Sequence, residues 1–153
     1  MDLITHALLG AAIAPHEGLA GPMAISGIVP DLWTLPPLIE YLVRHRSRYR
    51  NEEFWKWIPG RYDELTWWSH SVVPLGLAAS LGIASGVSPW LFLPWLLHLL
   101  IDIPTHASSR TGYLLYPFSR WQPLGRFNWY DRWGWSLLAI GGLSVIVVLR
   151  FIV

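Results

Sequence analysis

Histidine and aspartate recur at four-residue steps in the stretch His98-Leu-Leu-Ile-Asp102-Ile-Pro-Thr105-His106. Neutral imidazole and carboxylate are side chains that bind divalent ions. On a helix, residues four apart share one face, turn above turn. His98 and Asp102 can therefore grip one ion together. His106 could join them or bind a neighbouring ion, but Pro104 is expected to end or bend the helix before it. The stretch closes an apolar run from Trp90 to Ile103. An ionisable pair in such surroundings is costly to bury, which makes it a functional candidate by default.

The elements that position these residues follow from composition. The 153 residues are 53% hydrophobic and 14% charged, with a mean hydropathy of +0.36. Soluble domains are about a quarter charged. So few charges cannot cover a globule with polar surface, and a membrane protein is the expected class. There are 11 Trp against 5 Phe, and Trp favours the membrane–water interface. A net charge of +1 gives no basic stripe for nucleic acid. The absence of Cys removes disulfides and thiolate sites, so His and carboxylate must hold any metal. That favours zinc, with manganese or iron as alternatives. The start, Met1-Asp2-Leu3-Ile4-Thr5-His6, lacks the basic region of a signal peptide and reads as part of the mature fold.

The chain reads as a single all-α domain over 1–153, a polytopic helical membrane protein of about four to five membrane segments. The expected spans are Leu3–Ala14, Leu19–Val43, Trp67–Val87, Trp90–His106 and Trp135–Val153. The first is short and could be re-entrant, since about 20 residues are needed to cross. The second is broken at Pro30-Asp31, which is tolerated where the freed backbone lines a polar cavity. Arg44 to Glu64 and Ala107 to Gly134 form two basic, aromatic loops. They hold ten of the 11 Lys and Arg, leaving only Arg150 outside. By the positive-inside rule both loops lie on the cytoplasmic side of the cell or inner membrane.

That topology brings His6, Asp31, His70, His98, Asp102 and His106 to similar depth at one membrane face. His16 and His45 fall outside the group. Five or six ligands suffice for one or two ions. A metal-activated water could then attack an ester or phosphoester. Thr5, Ser69, Ser71 and Thr105 adjoin candidate ligands and could donate hydrogen bonds to them. Arg44, Arg46 and Arg110 could hold a phosphate. Each feature has a plainer reading. A lone His can be a satisfied core residue, His98 and Asp102 a bracing pair, and Asp31 a helix N-cap. The Trp and Arg residues of the loops can be interfacial anchors. Separate plain readings do not predict one common depth.

The ordered set Thr5-His6-x-x-x-Gly10, Pro30-Asp31, Ser69-His70-Ser71, His98-x-x-x-Asp102-x-x-Thr105 and Gly112-x-x-Leu115-x-Pro117-Phe118-Ser119 resembles the bacterial and archaeal membrane-bound metal-dependent hydrolases, the YdjM-like inner-membrane proteins. The resemblance spans residues 5 to 119. It implies an integral helical hydrolase with metal ligands His6, Asp31, His70, His98 and Asp102. The end of the His98 motif is also similar to zinc-dependent phospholipase C proteins, which favours a phosphoester or lipid substrate. Two positions depart from the family pattern. Trp33 stands where a second acidic residue is frequent. Leu65-Thr66-Trp67-Trp68-Ser69-His70 replaces an Arg-x-x-Thr-His-Ser setting.

The expectation is therefore a hydrolase working at the cytoplasmic face of the membrane on an ester or phosphoester, plausibly of a lipid. Its acid–base groups would be Asp31, Asp102 and His106. The alternative is a small metal- or ion-binding membrane protein or transporter without hydrolase activity.

Overall fold

The computed structural model describes residues 2–45, 60–106, 112–123, 125–126 and 133–151, and these residues form helices joined by turns and irregular segments, with no strand among them. The candidate phosphate-binding residues Arg46 and Arg110 and most of the first basic loop lie outside them.

Helix α1, Leu3–Ala12, begins at Asp2, whose carboxylate accepts from Thr5 N at 2.8 Å. It satisfies a backbone donor that the first helical turn leaves open. Helix α2, Glu17–Ile28, packs along α1 and against the later helix Leu93–Thr105. At Val29–Thr34 the chain tightens into a 3-10 turn before α3, Leu35–Arg44. Pro30, Pro36 and Pro37 sit at or next to these starts, where a missing N–H costs little. The interruption expected at Pro30-Asp31 is thus present, and it presents Asp31 to the interior.

The apolar run Trp67–Val87 was expected to form one span, and the structure divides it. Helix α4 covers Gly60–Ser69 and α5 covers Val72–Ala84, with the break at His70-Ser71. Pro74 is the physical reason. In an unbroken helix its nitrogen would face the carbonyl of His70, with no hydrogen to donate and a ring that clashes. Ser71 occupies the break in extended conformation and caps α5, accepting from Val73 N at 3.2 Å. Its hydroxyl also reaches the carbonyls of Leu114 and Tyr116, at 3.0 and 2.9 Å. Val72 N donates to Leu114 O at 3.0 Å. The segment Gly112–Ser119 is thereby clamped over the break, with Tyr116 packed on Trp67 and Trp68. Ser71→Ala removes the cap and leaves these carbonyls short of a donor. It is expected to cost about 1–2 kcal/mol, read as a lower melting temperature in detergent and faster proteolysis within Gly112–Ser119. An unchanged melting curve would contradict this account of the break.

A 3-10 turn, Pro89–Phe92, leads into α6, Leu93–Thr105. The helix continues one residue beyond Pro104, and His106 is its extended C-cap. The helix thus ends before His106, as expected from Pro104. Helix α7, Trp133–Phe151, packs on α1, and Arg150 donates to Ala12 O at 2.8 Å, binding a carbonyl at the end of α1.

Among the described residues one helical stretch, Gly134–Phe151, is long and apolar enough to cross a membrane, and α1, α5 and Pro89–Thr105 are shorter apolar helices. Many polar groups of the described residues lie inside and many large apolar ones outside. Thr5, His6, Ser69, His70, Ser71, His98, Asp102 and Thr105 are buried. Ile25, Ile39, Leu77, Leu81, Leu138, Val145 and Leu149 are exposed.

Candidate metal centre

Four separate pieces of chain deliver the interior polar groups. His6 comes from α1, Asp31 from the 3-10 turn after α2, His70 from the break between α4 and α5, and His98 and Asp102 from consecutive turns of α6. His98 Nε2 is 3.3 Å from Asp102 Oδ2 and 3.7 Å from Asp31 Oδ1. His70 Nε2 is 3.4 Å from Asp31 Oδ1 and 3.9 Å from Asp102 Oδ2. His6 Nε2 lies 3.2 Å from Asp102 Oδ1. The five residues singled out in the sequence as metal ligands thus converge in space. The buried His and Asp groups could hold a metal ion: His6, Asp31 and His98 form one set with ligand atoms within 4.8 Å of one another, and His70, His98 and Asp102 form another.

The far nitrogens of two rings are tied to backbone. His98 Nδ1 donates to Gly27 O at 2.7 Å, and His70 Nδ1 donates to Thr66 O at 3.0 Å. A carbonyl can only accept, so both rings carry a proton on Nδ1, and in the neutral form each turns its Nε2 lone pair inward. This is the arrangement that fixes the tautomer of ligating histidines. His98 Nε2 is buried and has no hydrogen-bond partner. A buried lone pair facing carboxylates repels them unless a proton or a metal cation lies between. The donor set therefore fits a divalent ion.

The sequence did not reveal these carbonyl partners. Gly27 reads as one small residue among many, yet a Cβ there would strike the His6 carbonyl. Its bareness lets α2 touch α1 and aim its own carbonyl at His98. Gly112 is the second such position. Its φ of +73° and its closeness to the His70 Cβ both require glycine.

Other sequence expectations sort by geometry. His106 Nδ1 is 3.7 Å from Asp102 Oδ1 and 3.1 Å from Asp102 O, beside the cluster but outside both sets. Its side chain is 18% exposed and that of Asp31 21%, against 7% for Asp102 and 0% for His98. The open side of the cluster is therefore the Asp31 and His106 side. Ser69 Oγ lies 3.0 Å from His70 Nδ1 and donates to Thr66 O. Thr5 binds Asp2, Ser71 binds the Gly112–Ser119 segment, and Thr105 donates to Ile101 O. Only Ser69, of these four hydroxyls, supports one of the converging side chains. Arg44 pairs with Glu40 at 2.7 Å. His16 is exposed at the start of α2, and His45 stacks on Tyr41, both apart from the cluster.

Comparison with known proteins finds no family profile, no curated protein and no solved structure that matches this chain.

Proposed function

We propose that this protein is a membrane-embedded metal-dependent hydrolase that cleaves an ester or phosphoester, with a lipid as the substrate class. The observation that carries the reading is the convergence of three imidazoles and two carboxylates, with His98 Nε2 buried and aimed at them unpartnered. The apolar exterior around a polar interior supports the membrane setting, because lipid tails rather than water match such a surface. With α7 crossing fully and the shorter helices inserted beside it, the two basic loops lie on the cytoplasmic side. The resemblance of the ordered motifs to the YdjM-like hydrolases supports the same reaction class.

A bound divalent ion supplies Lewis acidity to the substrate oxygen and acidifies its water to near neutral pH. Zinc suits the donor set best, with manganese or iron as alternatives. The chain does the rest. The Gly27 and Thr66 carbonyls hold His98 and His70 in their ligating tautomers. Asp31, on the open side, takes up the proton of the attacking water. His106, one helical turn from Asp102 and on the same open side, would carry that proton from Asp31 to the leaving group. Apolar Leu32 and Trp33 beside Asp31 are exposed where an acyl chain would lie.

Transport would need polar groups leading onward from the cluster. In α5, Ser80 instead turns its hydroxyl onto its own helix at Gly76 O.

Protein purified in mild detergent is expected to carry about one equivalent of divalent metal and to hydrolyse lipid phosphodiesters in a chelator-sensitive manner. Metal below about 0.5 equivalents after loading with zinc, manganese and iron in turn would sink the reading.

A further inference from the structure

The five converging residues do not have equal standing toward an ion. This argument rests on the metal-site reading above. Both sets of three contain His98, whose Nδ1 is committed to Gly27 O. One remaining lone pair binds one ion, so the two sets describe the surroundings of a single ion and not of two. The rings of His6 and His98 stack, with centroids 3.6 Å apart and planes 19° from parallel. An imidazole binds a metal in its own plane, along the nitrogen lone pair. An ion in the plane of His98 lies well outside the plane of His6. The stack therefore allows one of the two rings to ligate, and the tethered Nδ1 selects His98.

His6 has a different partner. Its Nε2 stands 3.2 Å from Asp102 Oδ1, while Asp102 Oδ2 faces His98 and His70. With its proton on Nε2, His6 donates to one carboxylate oxygen and turns the other toward the ion. The opposite tautomer sets a lone pair against a carboxylate oxygen and leaves a buried N–H on Nδ1, an atom with no partner. Around the remaining four side chains, successive inward atoms are 3.4, 3.7, 3.3 and 3.9 Å apart in the order His70, Asp31, His98, Asp102 and back to His70. Ligand atoms at about 2.0–2.1 Å from zinc stand about 3.4 Å from their neighbours in a tetrahedron.

We infer that the centre is mononuclear, with ligands His70, His98, Asp31 and Asp102, and that His6 is a positioning residue that holds the Asp102 carboxylate by a hydrogen bond. Asp31, the most exposed of the four, marks the side on which a fifth position opens.

The test uses the full chain loaded with zinc in detergent. X-ray absorption at the zinc edge is expected to report two imidazoles, with about one zinc per protein. Three imidazoles, or two zinc ions per protein, would overturn the inference while leaving the hydrolase reading standing. Less than half an equivalent in the wild type overturns both. His6→Gln keeps a side-chain donor and is expected to retain the wild-type zinc content and absorption spectrum. His6→Ala loses the donor and should bind zinc about 10–100-fold more weakly, measured by competition with a chelating dye. If His6→Gln, folded by circular dichroism, sheds its zinc as His98→Ala does, His6 is a ligand and the inference fails.

Discussion

The His98→Ala protein is expected to lose metal by more than about 100-fold in affinity and to hydrolyse nothing above background. Removing a partner that merely orients a ligand costs about 10–100-fold, and His98 is a stronger case on two counts. It is fully buried between both carboxylates, and each set of groups able to hold an ion passes through it. Without it, Asp31 and Asp102 face each other across a site with one inward imidazole fewer to hold the cation between them. The measurement is metal content after dialysis, paired with circular dichroism to show that α6 persists. Retention of near-stoichiometric metal with a native spectrum would remove His98 from the centre.

Gly27→Ala is expected to damage the same centre without touching a ligand. The added methyl meets the His6 carbonyl, a backbone atom that cannot rotate away. Overpacking costs about 1–3 kcal/mol, and a backbone-on-backbone clash belongs at the upper end. Relief requires α2 to withdraw from α1, which carries the Gly27 carbonyl off His98 Nδ1. Zinc affinity should then fall about 10–100-fold alongside a lower melting temperature. Gly21→Ala is the control. It lies on the same helix with nothing near its would-be Cβ, and is expected to gain about 0.5–1 kcal/mol. If the two variants melt alike, the close approach of α1 and α2 at Gly27 is not what the structure shows.

Much of the centre was legible in the sequence because its signals are local. Four-residue spacing put His98 and Asp102 on one face of α6, and Pro30 marked the break that presents Asp31. Other features were hidden for reasons of chemistry. Pro74 sits in a run so apolar that hydropathy reads straight through it, although its ring forbids a continuous helix past His70. The partners of His98 and His70 are carbonyls, which every residue possesses, so no residue type advertises them. His6 shows the limit of spacing most clearly. Its place among the converging groups was expected, but whether its ring shares a plane with an ion depends on a stack between α1 and α6, two helices far apart in sequence. Trp67–Val87 was read as one continuous span, whereas two shorter helices meet there. Apolarity fixes where a helix can lie but not where turns interrupt it.

His6 and Asp102 are 96 residues apart in sequence, and α6 supplies two groups to the cluster. During synthesis, α1 and the turn bearing Asp31 emerge long before their counterparts exist. Until α6 is made, their imidazole and carboxylate must stay hydrated or be screened by other chains. The cluster can close only once α6 has been made, with α7 still to follow and pack on α1. On the proposed reading, the cation would bind only after α6 is in place, so a cell starved of that metal should accumulate a half-assembled chain that quality-control proteases recognise.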